Sequence, residues 1–135
     1  MQSGIYKEVQ FDASHRLIYY KGKCANLHGH RWKVEVWIEG EPDAKTQIVV
    51  DYNIIKEVVY RYDHRILLNE ADPMAACIGQ FQTVITTPGD PTSELLAVLL
   101  RDQLNEECRK QGAQASVKKI RVWESPGCYA ELGTG

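Results

Sequence analysis

Along the first part of the chain Ile5, Val9, Phe11 and Ala13 share one parity, with Lys7 the exception, and Tyr6, Glu8, Gln10, Asp12 and Ser14 share the other. This period of two predicts a strand over residues 5–17 with one buried face. Residues 31–40 repeat it, with Trp32, Val34, Val36 and Ile38 facing one way, Arg31, Lys33, Glu35 and Glu39 the other, and Trp37 as the exception. The polar stretch 20–26, which contains Gly22, reads as a loop, and the two strands are expected to pair antiparallel.

The period then changes. After Glu41-Pro42-Asp43-Ala44 a short apolar run ends at Asp51, an N-cap for a helix in which Ile54, Ile55, Val58, Val59 and Tyr62 recur at three- and four-residue spacing. A second helix is expected to run to Gly112, capped by Asp90 or Thr92, with Leu95, Leu96, Leu99, Leu100, Leu104 and Cys108 as its apolar stripe. Residues 69–89 are long for a simple connection, and 81–86 read as an extra strand or an ordered loop. A hairpin, 117–124 and 128–132 joined by Ser125-Pro126-Gly127, ends the pattern. The order ββααββ predicts an α+β fold, one domain over 1–135, with two helices on one face of a mainly antiparallel sheet.

Composition narrows the function classes. At 135 residues and 44% hydrophobic, folding buries roughly two-thirds of the chain's surface, so a metal site here is expected to be functional and not a staple. A net charge of −2 gives no uniform basic field for nucleic acid or an anionic membrane, so neither is an expected partner. With no membrane-length apolar run and no signal-peptide layout at the start, a cytoplasmic location is expected. Cys24, Cys77, Cys108 and Cys128 lack paired spacing and read as thiols.

The histidines carry the chemistry. His28 and His30 lie two apart, so in extended chain both point to the side of Trp32 and Val34; His15 continues the parity of Phe11 and Ala13. Three imidazoles then converge at one edge of the core, a donor set that fits Zn²⁺ with an open fourth position and also suits other first-row metals. The alternative is hydrogen-bonded core histidines. Cys24, four residues before His28, is either a thiol whose thiolate a nearby cation favours or an ordinary loop cysteine. Asp63 beside His64 is a proton-transfer pair or a polar helix end. Glu124, on the parity of Ile120 and Val122, needs a donor, either a neighbouring cation or the paired N–H edge of a pterin or guanine ring.

Together, residues 11–17 (FDASHRL), 24–30 (CANLHGH), Asp63-His64, Pro91-Thr92-Ser93-Glu94 and Trp123-Glu124-Ser125 resemble the 6-pyruvoyl-tetrahydropterin / 6-carboxy-tetrahydropterin synthase family. The short gap from Cys24 to His-Gly-His is similar to the bacterial and archaeal carboxy synthases of queuosine biosynthesis. The resemblance implies the tunnelling fold, a four-stranded antiparallel sheet with two helices, with trimers closing a β-barrel and pairing into a homohexamer whose active sites lie between subunits. It implies zinc on His15, His28 and His30, Cys24 as base, Asp63 and His64 as proton relay, and Glu124 with Thr92 and Ser93 binding a pterin. The implied reaction takes 7,8-dihydroneopterin triphosphate to 6-carboxy-5,6,7,8-tetrahydropterin, releasing acetaldehyde and triphosphate. Arg16, Lys21, Lys23 and Arg31 are candidates for the phosphates, or a solvated basic loop. Two departures stand out: 69–90 is longer than in compact members, and Asp90 stands where many have asparagine. The alternatives are a pyruvoyl synthase or other pterin side-chain lyase, a zinc-containing pterin- or purine-binding protein without turnover, and a structural zinc protein, which would need a closed four-residue coordination sphere.

Overall fold

The structure, a computed structural model, describes residues 1–133. In chain order its elements are β1 (Ser3–His15), β2 (His28–Gly40), α1 (Tyr52–Tyr60), β3 (Arg65–Asn69), α2 (Met74–Ile78), β4 (Val84–Thr87), α3 (Ser93–Lys110), β5 (Ala115–Ser125) and β6 (Cys128–Gly133), with a 3₁₀ turn at Lys23–Ala25. β1 and β2 pair antiparallel along their full length, from Ser3 opposite Gly40 to His15 opposite His28. Their alternation is the one the sequence predicts: Val9, Phe11, Ala13 and His15 are buried on β1, and Trp32, Val34, Val36 and Ile38 on β2.

The sheet has six strands in the order β4-β3-β1-β2-β5-β6. β1/β2, β2/β5 and β5/β6 are antiparallel, and β1/β3 and β3/β4 are parallel. This corrects the expected four-stranded antiparallel sheet with two helices: the sheet is mixed, and three α-helices accompany it. The additional elements lack periodicity. β3 is a continuous run, Arg-Ile-Leu-Leu-Asn, whose last three residues are all buried, as happens where parallel strands are covered on both sides. α2 has five residues and no side-chain cap, too short for a 3.6-residue repeat to declare itself. Of the two readings of 81–86, the strand is the one observed, shifted to Val84–Thr87.

Both longer helices start on side-chain caps. Asp51 accepts from the Asn53 N–H before α1, and Thr92 accepts from the Leu95 N–H at 3.1 Å before α3. Thr92, and not Asp90, is therefore the cap of α3. That helix ends as the sequence predicts: Gly112 adopts φ 71°, its N–H donates to Arg109 and the Ala113 N–H to Cys108, the 6→1 and 5→2 pattern that favours glycine. Ile55, Val58 and Val59 of α1 and Leu96, Leu100 and Leu104 of α3 pack on Phe11, Trp32, Val34 and Ile120. Each such large side chain contributes roughly 1.5–3 kcal/mol on burial. At the far end of the sheet a Cβ on Gly40 would stand 2.4 Å from the Gln114 carbonyl oxygen and 2.5 Å from Ala115 Cβ, so glycine permits the close approach of β2 to β5 there. Among the described residues no helix is long and apolar enough to cross a membrane.

Candidate functional site

Register builds the site. His15 lies opposite His28, and Ala13 opposite His30, so the three rings of matching parity meet at one end of the β1/β2 pair. Their centroids are 4.7 Å (His15–His28), 5.2 Å (His15–His30) and 4.8 Å (His28–His30) apart. Trp32 meets His15 and His30 edge-on at 5.0 and 5.5 Å and is anchored by its own Nε1–H on the Ala13 carbonyl. The inner-face tryptophan of β2 is thus the floor under two of the three histidine rings.

Backbone carbonyls set the orientation of two rings. His15 Nδ1 lies 2.7 Å from the Pro91 oxygen and His28 Nδ1 2.6 Å from the Asn26 oxygen. A carbonyl can only accept, so both Nδ1 atoms carry a proton, and in a neutral ring that tautomer leaves the lone pair on Nε2. His15 Nε2 and His30 Nε2 are buried without a hydrogen-bond partner. His30 Nε2 stands 3.1 Å from Glu124 Oε1, but not at a hydrogen-bonding angle. Unpaired buried nitrogens are rare, and here two accompany a cluster in which the ligand atoms of His15, His28, His30 and Glu124 all lie within 4.8 Å of one another. Burial pushes His15 and His30 below the ordinary histidine range, with Glu124 opposing in both, so the neutral form that ligates a cation is favoured. Three nitrogens and one carboxylate oxygen fit a small divalent ion with a preference for nitrogen.

The remaining candidates are distributed around this cluster. Cys24 is half-buried in the 3₁₀ turn, and its carbonyl accepts from the Leu17 N–H at 2.9 Å; its sulfur is not among the clustered atoms. Asp63 and His64 form a built pair after α1. The Asp12 N–H donates to Asp63 Oδ1 at 3.0 Å, and His64 Nδ1–H donates to Asp63 Oδ2 at 2.8 Å. The Asp12 N–H, then the His64 ring, hold the Asp63 carboxyl below the usual range. His64 takes a left-handed φ of 57°, fixed by its N–H on the Asp12 carbonyl at 2.7 Å. Its side chain is 76% exposed in a depression lined also by Asp12, Ser14, His30 and Arg31. His64 and Asp63 are not among the clustered ligand atoms of His15, His28, His30 and Glu124.

Thr92 and Ser93 follow Pro91, whose carbonyl holds His15, so the start of α3 is tied to the cluster; Ser93 donates to Glu94 at 3.1 Å. Beyond the Lys33–Trp123 pair the β2/β5 register ends. A cleft of about 510 Å³ is lined there by His30, Arg31, Lys33, Trp123, Glu124 and Ser125, among others, so His30 and Glu124 are reachable from solvent. Arg16 is committed elsewhere: it clasps Asp72 through Nε at 2.6 Å and Nη2 at 2.5 Å and is not free for phosphate. Asp72, Asp90 and the carbonyls of Asn26 and Pro91 escape a sequence reading. Asp90-Pro91 signals only a helix start, and nothing local marks a carbonyl as an acceptor for a ring 76 residues away.

The 6-pyruvoyl tetrahydropterin synthase family model matches residues 4–134. The chain is 29% identical to the 6-carboxy-5,6,7,8-tetrahydropterin synthase of Rickettsia felis, covering 93% of this chain and 96% of the relative. It is 30% identical to the protein of the same name from Haemophilus influenzae, covering 94% and 96%. A variant of the Plasmodium vivax 6-pyruvoyltetrahydropterin synthase has the same fold, with a TM-score of 0.69 at 20% identity over 98% of this chain and 97% of that one.

Proposed function

The chain belongs to the 6-pyruvoyl tetrahydropterin synthase family, and from that premise we propose that it is a zinc-dependent pterin side-chain lyase. The reaction we assign takes 7,8-dihydroneopterin triphosphate and one water to 6-carboxy-5,6,7,8-tetrahydropterin, with acetaldehyde and triphosphate released, the product named for the Rickettsia and Haemophilus relatives. The observation that carries this reading is the pair of buried Nε2 atoms of His15 and His30 without a hydrogen-bond partner, in a four-residue cluster of which His30 and Glu124 line a cleft. A merely structural histidine core would have satisfied them.

Zinc held by His15, His28 and His30 would supply Lewis acidity toward the substrate's side-chain hydroxyls, making the neighbouring C–H acidic. Cys24 takes that proton as thiolate. His64 exchanges protons through Nε2 while Asp63 holds its Nδ1–H and fixes the tautomer. Glu124, at the mouth of the cleft, accepts the paired N–H donors of the pterin edge, and the Thr92 and Ser93 hydroxyls complete that contact. Because the exposed His64 and its partner Asp63 lie outside the clustered ligand atoms of their own chain, we assign them to the cluster of a neighbouring subunit in a homohexamer. This makes the assembly part of the catalytic device.

The test is incubation of the purified, zinc-loaded protein with 7,8-dihydroneopterin triphosphate and mass-spectrometric identification of the products. A 6-carboxy pterin with acetaldehyde is expected. A pyruvoyl pterin would move the protein to the pyruvoyl branch of the family, and no product with zinc bound would overturn the lyase assignment.

A further inference from the structure

The turn that carries the chain from His15 to Cys24 is tied down at successive residues. His15 donates to the Pro91 carbonyl, and Arg16 clasps Asp72. The Leu17 N–H donates to the Cys24 carbonyl. The Ile18 and Tyr19 N–H groups donate to the two carboxylate oxygens of Asp90 at 3.0 and 2.9 Å. Both acids come from the 69–90 segment, and each is itself fixed. Asp72 has a fully buried side chain and accepts from the Met74 N–H at 2.8 Å; Asp90 accepts from Asn69 Nδ2 at 3.1 Å.

The turn has little else to hold it. No residue from 16 to 27 is fully buried, and Tyr19 and Tyr20 are 77% and 55% exposed. Apolar packing therefore contributes little to its conformation, and the polar ties decide it. Two converging N–H donors also match a carboxylate better than an amide, because an asparagine offers one acceptor oxygen and turns an NH₂ toward the second donor.

We propose that Asp72 and Asp90 are positioning residues, and that the 69–90 segment is a clamp holding the 16–24 turn so that Cys24 is kept in one fixed position. The proposal rests on the reading of Cys24 as the base. It assigns a role to the 69–90 segment: through Asp72 and Asp90 it holds the turn that carries Cys24.

The test uses the full-length protein with the exposed Cys77 and Cys128 changed to serine, so that iodoacetamide reports on Cys24, Cys108 being buried. Amide exchange, Cys24 alkylation, kcat and KM are compared for the parent, Asp90→Ala and Asp90→Asn. In Asp90→Ala the Ile18 and Tyr19 amides should exchange about tenfold faster while α3 amides stay protected, and Cys24 alkylation should quicken. The kcat should fall about 100-fold with KM changed by less than about threefold, the signature of a misplaced group and not of lost binding. Asp90→Asn should lie between, which keeps the test decisive if the alanine variant is poorly folded. Unchanged exchange and alkylation would overturn the clamp, as would faster exchange with an unchanged kcat. A parent protein that turns over no pterin would overturn the lyase reading instead, with exchange and alkylation still judging the clamp.

Discussion

At His15 and His28 a carbonyl fixes one ring nitrogen and frees the other, so each side chain is preset for a ligand before one arrives. Changing His28 to alanine should cost more than the 10–100-fold in zinc affinity typical of losing an outer-shell partner, measured by competition with a chromogenic chelator. Replacing Cys24 by alanine should leave pterin binding intact by calorimetry and abolish turnover; retained turnover would remove it from the mechanism. Asp72 gives the pH prediction. The Arg16 hydrogen bonds hold its carboxyl below the usual range against the opposing effect of burial. Its stabilisation is therefore complete above the unfolded value of about 3.9 and is lost as pH falls through the lower folded value. Asp72→Asn should destabilise by roughly 3 kcal/mol near pH 7, as for a broken buried pair. In denaturant titrations that difference should hold down to about pH 5 and shrink below about pH 4. The histidine cluster was legible because parity alone places His15, His28 and His30 on one face. Asp72 and Asp90 were not, since their partners lie 56 to 72 residues away and no local pattern records such a contact.

At the scale of elements, the long strands and helices follow their periods. β1 and β2 alternate through 13 residues each, and α1 begins at the predicted Asp51 cap. What period could not show was the β3-α2-β4 excursion, where a non-alternating apolar run pairs with β1 and a four-residue strand pairs in turn with it, with a five-residue helix between them, all too short to stand without those contacts. The cap of α3 is an element property with a measurable size. Thr92→Ala should lower stability by about 1 kcal/mol, read as a shift in the denaturation midpoint, whereas Thr92→Ser should keep most of it. Because Pro91 precedes that cap and holds His15, fraying of the first turn of α3 should also weaken zinc binding, linking helix stability to the site.

For the whole molecule, the proposed chemistry is divided between the clustered atoms of His15, His28, His30 and Glu124 and the Asp63-His64 pair outside that cluster. In the proposed hexamer a second copy supplies the pair. Cys24→Ala and His64→Ala variants, each inactive alone, should therefore regain part of the wild-type rate when unfolded and refolded together, and no regain would confine each site to one chain. Light scattering should report a hexamer. The α+β class was legible from the order of elements, but the six-stranded mixed sheet was not, and the outward residues that any subunit contact would use carry a pattern that reads simply as a solvated face. The most direct test of the account is the zinc content of the purified protein by inductively coupled plasma mass spectrometry, wild type beside His15→Ala and His30→Ala. One zinc per chain in the wild type and none in either variant is the predicted result, and a wild type without zinc, or variants that keep it, would contradict the metal site on which the rest depends.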